Sequence, residues 1–304
     1  MVRADEGPST GGAVLLDDDL LRRIERLSLR TRRSGARVGN RPGARRTPAA
    51  DFIDHRPYSP GDDRRHIDWP AVARHDEVFV KVGRVTHAAD VYIVLDISRS
   101  MAELPGKHRM SLELAAALGW MSLAAGDRTT VVPFPAIGAS ASWGPASGTG
   151  RGADLLAHLS QLATVSASAS HLESVVSDVA ARAPAGGLLV VVSDLWVADD
   201  FDVALARVPS PRWDVLVLHV LDTDELEPTV SGALEVVDCE TDEAVTLVVD
   251  DAAIAEYRVE LNRRLDRLRS LVGARGASYA LLPSDWPLER AVIPYLQRRA
   301  LLVG

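Results

Sequence analysis

The stretch Val91–Met101 reads VYIVLDISRSM, and it indicates the fold class of the chain. Five apolar residues lead directly to Asp96, and Ser98 and Ser100 follow at every second position. A strand with no polar residue inside it is typical of a parallel sheet that is covered on both faces. Such strands present their chemistry at their carboxyl ends, where loops lead to the next helix. The stretch therefore predicts a buried strand with an acid and two hydroxyls at its tip.

Apolar runs and helical patterns alternate along the rest of the chain. The other strand-like runs are VFVKVGRV, TTVVPF, LLVVVSD, WDVLVLHV and SYALLP. Helical patterns lie at Met110–Ala125, Ala153–Leu162, His171–Ala183, Val203–Val208, Ala252–Val272 and Leu288–Leu301. Continuous apolar strands separated by helices favour an α/β fold with a doubly wound, mostly parallel sheet and helices on both faces. We expect the common strand order 3-2-1-4-5-6 in that sheet.

One segment interrupts this alternation. LEVVDCETDEAVTLVVD has two alternating strands around the polar turn ETDE, which predicts an inserted β-hairpin near residues 233–249. The run VFVKVGRV is its expected partner in a small lateral β element.

The composition limits the classes of function. The 304-residue chain has a formal net charge of −8, which argues against bulk attraction to nucleic acid or to an anionic membrane surface. Its single cysteine, Cys239, excludes an internal disulfide and fits a reducing compartment. No apolar run approaches the ~18 residues that span a bilayer, and the N-terminal residues lack the apolar core of a signal peptide. We expect a soluble cytoplasmic protein that does not contact a membrane.

Residues 1–33 are expected to form a flexible and partly helical arm. The segment Asp17–Leu29 carries apolar residues at helical spacing after three aspartates, which favours a short helix. The charges between Arg22 and Arg46 are almost all arginines. This arm is either a solvated surface or a site for an acidic partner or RNA, and the negative net charge makes nucleic acid the least favoured partner.

A second acid stands at the end of another apolar strand. Asp194 follows LLVVVS, and in the expected strand order its strand is adjacent to the one that ends at Asp96. The loop TVSASASH could add a hydroxyl from Ser166, Ser168 or Ser170. A site that combines few carboxylates with small hydroxyls suits a hard cation that keeps several waters, Mg²⁺ or Mn²⁺, rather than a soft metal. The alternative is that the acid and serines only cap the following helix.

The pattern Asp-x-Ser-x-Ser that begins at Asp96 resembles the metal-ion-dependent adhesion site (MIDAS) of von Willebrand factor A domains. The resemblance implies that fold, together with a metal site completed by a later hydroxyl and by an acid that acts through water. By position, Ser170 matches the hydroxyl, which is usually threonine, and Asp194 matches the acid. Leu195 replaces the glycine that commonly follows that acid. The implied metal-site residues are Asp96, Ser98, Ser100, Ser170 and Asp194.

An upstream block, YSPGDDRRHIDWPAVAR at residues 58–74, resembles the signature of the bacterial family catalogued as domain of unknown function 58 (DUF58). In that family a Tyr-x-Pro-Gly-Asp-Asp-x-Arg-x-Ile-Asp-Trp block precedes a von Willebrand A-like domain. The resemblance implies a signature segment at residues 34–88 that packs on the core, and a von Willebrand A-like domain at residues 89–304.

The residues of this block favour a structural role over catalysis. The pair Pro60-Gly61 is typical of a type II turn, and Asp62 or Asp63 can bind the turn backbone. No nucleophile with an adjacent base accompanies it. Ile67 and Trp69 are expected to anchor the segment on the core.

Two classes of function rank ahead of nucleic-acid binding by the arginine-rich arm. The DUF58 resemblance implies a non-enzymatic bacterial adaptor that binds a protein partner through its metal, often beside a MoxR-type AAA+ ATPase. The alternative is a metal-dependent phosphohydrolase, in which an acid at a strand end organises phosphoryl transfer with Mg²⁺. The haloacid dehalogenase pattern needs a second acid two residues after the first, where this chain has Ser98.

Overall fold

A computed structural model of the chain describes residues 15–30, 51–59, 67–75, 77–84, 88–135, 142–163, 172–196, 201–237 and 244–304. The elements in chain order are α1 (Asp18–Ile24), β1 (Ser28–Leu29), β2 (Asp51–Pro57), α2 (Trp69–His75), β3 (Phe79–Arg84), β4 (Asp90–Asp96), α3 (Arg99–Glu103), α4 (Pro105–Ala124), β5 (Arg128–Phe134), β6 (Trp143–Ala146), α5 (Gly152–Leu162), α6 (Leu172–Arg182), β7 (Leu188–Ser193), α7 (Phe201–Ala206), β8 (Asp214–Leu221), α8 (Thr223–Leu226), β9 (Gly232–Val237), β10 (Ala244–Val249), α9 (Asp251–Ala274), β11 (Ser278–Pro283), α10 (Ile293–Arg298) and β12 (Leu302–Val303). The described residues fall into two units: residues 15–30 with 88–304, and residues 51–84 apart from the gaps.

A six-stranded sheet organises the larger unit, with the strands in the order β11-β8-β7-β4-β5-β6. The first five strands are parallel, and β6 pairs antiparallel with β5 at the edge. The predicted α/β fold with a mostly parallel sheet is therefore confirmed. Strand β6 was not predicted, because WGPA contains a glycine and a proline; proline cannot donate to a ladder and is tolerated at an edge.

Side chains of β4 alternate between two apolar cores, one on each face of the sheet. Val91, Ile93 and Leu95 belong to the core that α1, α4, α5 and α10 cover, whereas Tyr92 and Val94 belong to the core under α6, α7 and α9. Burial on both faces explains why no charged residue lies between Asp90, where the strand begins, and Asp96, where it ends.

Helix α4 begins at Pro105, five residues before the predicted start at Met110. Proline fits the first turn of a helix because its missing N–H would have no intrahelical partner there. The earlier start places Lys107 inside the helix, and its side chain is fully buried.

The predicted hairpin is present, but the prediction of the strand that pairs with it is wrong. Strands β9 and β10 pair only with each other among the described residues, with Leu234 opposite Leu247. The run VFVKVGRV forms β3, which pairs antiparallel with β2 in the smaller unit. Cys239 lies outside the described residues.

The smaller unit contains part of the signature block. Asp68 is buried and its Oδ1 accepts the backbone N–H of Ala71 at 3.3 Å, so this acid caps α2. Ile67 is half-buried and Trp69 is 65% exposed, and their expected role as anchors on the core stays a prediction. Pro60-Gly61 and the two acids after them lie outside the described residues.

The N-terminal arm has the short helix that its aspartates predict. Asp17 caps α1 by accepting the backbone N–H of Leu20 at 2.7 Å, and three residues of the helix are buried. Most of the arginine-rich segment lies outside the described residues; within them, Arg23 pairs with Glu289 at 2.6 Å. Every helix in the described ranges is too short or too polar to span a lipid bilayer.

Candidate metal centre

Asp96 ends β4 and is held as a buried carboxylate. The residue is 4% exposed, its Oδ1 accepts a hydrogen bond from the backbone N–H of Ser98 at 2.9 Å, and its Oδ2 accepts one from the hydroxyl of Ser193. Each carboxylate oxygen has a second lone pair, so either oxygen retains the capacity to bind an ion.

Burial raises the pKa of Asp96 to about 6, and the negative charge of Asp194 contributes to the same direction. The hydrogen bonds from Ser193 and Ser98 lower the pKa but offset only part of the rise. Among the described residues, no cationic side chain forms an ion pair with Asp96. The ionised form of Asp96 is therefore a poorly compensated buried charge.

Ser98 and Ser100 bring their hydroxyls together beside this carboxylate. The two Oγ atoms lie 3.0 Å apart. Adjacent ligands of an octahedral Mg²⁺ with bonds of about 2.1 Å also lie about 3 Å apart. The pair therefore fits either a hydroxyl–hydroxyl hydrogen bond or two neighbouring positions around one ion. Ser166, Ser168 and Ser170 lie outside the described residues.

Asp194 follows β7, which pairs directly with β4, so the two predicted acids lie at the same edge of the sheet. Its Oδ2 accepts the ammonium of Lys107 at 2.7 Å, and its Oδ1 accepts the backbone N–H of Trp196 at 3.2 Å. Unlike Asp96, Asp194 has a cationic partner inside the protein.

Lys107 bridges two carboxylates at this edge. Its Nζ lies 2.7 Å from Asp194 Oδ2 and 2.9 Å from Glu225 Oε1, and its side chain is 1% exposed. Burial alone would lower the pKa of Lys107, but the charges of Asp194 and Glu225 outweigh burial and raise it. The lysine is therefore charged, and sequence reasoning missed this role because the partners lie 87 and 118 positions away.

Glu225 and its neighbours hold the lysine from the other side. Glu225 Oε2 accepts the backbone N–H of Asp222 at 2.7 Å, which completes a capping box at α8. Asp222 Oδ2 accepts the hydroxyl of Ser284 at 2.6 Å. Gly106 approaches this pair so closely that a Cβ would lie 3.0 Å from Ser284 Oγ. Glycine at this position therefore lets the start of α4 reach the network.

The backbone after β7 turns sharply at Leu195. Its φ is 54°, a left-handed conformation that costs a non-glycine residue roughly 1–2 kcal/mol. This is the position where the MIDAS pattern commonly has glycine. The Leu195 side chain is buried, and its N–H donates to Ser193 Oγ at 2.9 Å, so packing and one hydrogen bond hold the turn.

His219 supports the same turn from β8. Its Nε2 lies 2.7 Å from the carbonyl oxygen of Asp194, which can only accept, so Nε2 carries the proton. Its Nδ1 then accepts the hydroxyl of Tyr279 at 2.7 Å. Burial lowers the pKa of His219 to about 4, which keeps the imidazole neutral near pH 7.

The candidate ligands at this centre are oxygen atoms, and few of them belong to charged groups. Across the part of the chain that the structure describes, no three His, Cys, Asp or Glu side chains converge into a metal-binding group. One buried carboxylate with two hydroxyls suits a hard cation that retains water, and it does not suit zinc. The residues present therefore fit Mg²⁺ or Mn²⁺ at Asp96, Ser98 and Ser100.

Comparison with known proteins places the chain in a family. The family model described as "Protein of unknown function DUF58" matches residues 54–267, which is more than half of the chain. The chain belongs to the DUF58 family. Uncharacterized proteins of Mycobacterium tuberculosis and Mycobacterium bovis are 25% identical to this DUF58 protein over 296 residues, which cover 93% of this chain and 90% of each relative. A crystal structure of the conserved hypothetical protein BatB from Bacteroides thetaiotaomicron aligns with a TM-score of 0.38 and 14% identity, over 70% of this chain and 99% of BatB.

Proposed function

We propose that this DUF58 protein is a non-enzymatic binding module of the von Willebrand A type, which uses a MIDAS-like site to bind a partner protein through Mg²⁺ or Mn²⁺. Asp96, Ser98 and Ser100 would hold the ion, with Ser170 as a further ligand and Asp194 acting through water. The observation that carries the proposal is the buried Asp96 carboxylate, which has no described cationic partner and lies beside two hydroxyls 3.0 Å apart.

The uncompensated negative charge of Asp96 favours a bound cation at this position. A buried, ionised carboxylate without a counter-charge is unfavourable, and burial already raises the pKa of Asp96 to about 6. A divalent cation would supply the missing counter-charge and would favour the ionised form. Asp194 does not require a cation as counter-charge, because the ammonium of Lys107 already neutralises its carboxylate.

The ligand set also supports a role in partner binding. Hydroxyls and waters leave most of the ion's charge uncompensated, so the ion would attract an additional carboxylate. An Asp or Glu side chain of a partner protein would supply that ligand. The DUF58 resemblance favours a MoxR-type AAA+ ATPase as the partner, in a bacterial cytoplasm.

Affinity capture tests this proposal. The wild-type protein is expected to retain the MoxR-type ATPase of its own organism in Mg²⁺ and to release it in EDTA, whereas Asp96→Ala is expected to retain little in either buffer. Asp178→Ala, at an exposed position on α6, is the matched control and should behave as the wild type. Equal retention by wild type and Asp96→Ala would contradict the proposed site.

The phosphohydrolase alternative has less support. An acid is missing two residues after Asp96, where Ser98 instead lies 3.0 Å from the hydroxyl of Ser100. The Mg²⁺-dependent hydrolysis of a generic aryl phosphate would test it. Turnover that Asp96→Asn abolishes would favour the enzyme over the binding module.

A further inference from the structure

The buried ammonium of Lys107 lies at the edge of the proposed site, but it does not form an ion pair with Asp96. It contacts Asp194 and Glu225, at 2.7 and 2.9 Å. The hydrogen bonds to Asp96 come instead from Ser98 and Ser193. The two acids at the sheet edge therefore differ: one already has an internal cation and the other does not.

We propose that Lys107 is an internal counter-ion that withholds Asp194 from direct coordination of the cation, so that a bound divalent ion has one directly bound ionised ligand, Asp96. This inference rests on the proposed function, because it concerns the affinity of the same site. Lys107 acts through Asp194 and is a positioning residue rather than a ligand.

The position of the ammonium is fixed by its surroundings. Removing it would leave one buried and one half-buried carboxylate without their cationic partner, which is strongly unfavourable. Glu225 is itself held by the backbone N–H of Asp222 at 2.7 Å and by the indole N–H of Trp196 at 3.1 Å. These contacts hold the Glu225 carboxylate in place, so we expect the Lys107 ammonium to keep its position when an ion binds.

A fixed positive charge has a direct consequence for a divalent ion nearby. It repels the ion and neutralises the carboxylate that would otherwise attract it. Even at an effective dielectric constant of about 20, removing such a charge changes a dissociation constant by about tenfold or more. The native site is therefore expected to bind its ion weakly and to leave the ion open to a partner's carboxylate.

Two double variants separate this role from simple loss of an ion pair. Lys107→Met/Glu225→Gln keeps the Asp194 carboxyl group but removes its counter-ion, whereas Lys107→Met/Asp194→Asn removes the acid and leaves Glu225. Both have the same net charge as the wild type, and both lose the lysine. Thermal unfolding in EDTA identifies conditions in which each variant is folded, and Mn²⁺ binding is then measured by the electron paramagnetic resonance of free Mn²⁺.

The first double variant is expected to bind Mn²⁺ at least about tenfold more tightly than the second and than the wild type. Equal dissociation constants in the two double variants would overturn the role of Lys107 while leaving the proposed site intact. Mn²⁺ binding by Lys107→Met/Glu225→Gln but not by the wild type would support the role of Lys107 and count against the proposed function. No Mn²⁺ binding by any of the folded proteins would overturn both.

Discussion

Replacing Asp96 with asparagine is expected to stabilise the protein when no divalent cation is present. The pKa of this carboxyl is about 6 in the folded protein and 3.8 ordinarily, and about two pKa units correspond to about 3 kcal/mol. The folded state holds the proton more tightly, so this group lowers stability as pH rises from 3.8 to about 6, and the full penalty remains above that pH. Asparagine has no charge to bury.

The expected gain for Asp96→Asn in EDTA at pH 7.5 is about 1–3 kcal/mol, because the amide makes weaker hydrogen bonds than the carboxylate. Denaturant unfolding between pH 4 and 8 would measure the difference between the two proteins, which should grow across the window and then level off. Saturating Mg²⁺ should stabilise only the wild type. Asp154→Asn, at an exposed acid of α5, should change stability by less than about 0.5 kcal/mol. An Asp96→Asn protein that is less stable than wild type throughout this range in EDTA would refute the reasoning.

Three further substitutions test the support of the site by thermal or denaturant unfolding. Gly106→Ala should destabilise the folded protein by about 1–3 kcal/mol, because its Cβ would meet Ser284 Oγ at 3.0 Å. An increase in stability, as expected at an open helix position, would contradict this contact. At Leu195, glycine should be more stable than alanine by about 1 kcal/mol, since only glycine relieves the positive φ; the opposite order would show that the turn is unstrained. Tyr279→Phe should cost about 1–3 kcal/mol by leaving the buried Nδ1 of His219 without its donor, and an unchanged stability would argue against that bond.

The sheet and its first acid could be predicted because their signals are local. The apolar run from Val91 to Leu95 is buried on both faces, and Asp96 follows where such a strand must end. The same reasoning placed Asp194 after β7, which the structure pairs with β4. In both strands, burial requires apolar residues and leaves the carboxyl end as the first position for a charge.

The support of the site could not be predicted because it depends on pairs distant in the sequence. Lys107 has the surroundings of an ordinary residue near a helix start, and only the fold brings Asp194 and Glu225 to its ammonium. Strand pairing is similarly non-local: the pattern of VFVKVGRV predicts a strand but does not say that β2 is its partner. An apolar residue at position 195 likewise gives no sign of a positive φ.

Mn²⁺ binding to the wild type, Asp96→Ala and Ser98→Ala/Ser100→Ala tests the central claim most directly. The free-ion signal in a titration of each folded protein gives the number of ions bound and the dissociation constant. We predict one ion per wild-type chain, none at the same concentrations for Asp96→Ala, and weaker binding when both hydroxyls are removed. A wild type that binds no ion, or an Asp96→Ala protein that binds as tightly as the wild type, would contradict the account.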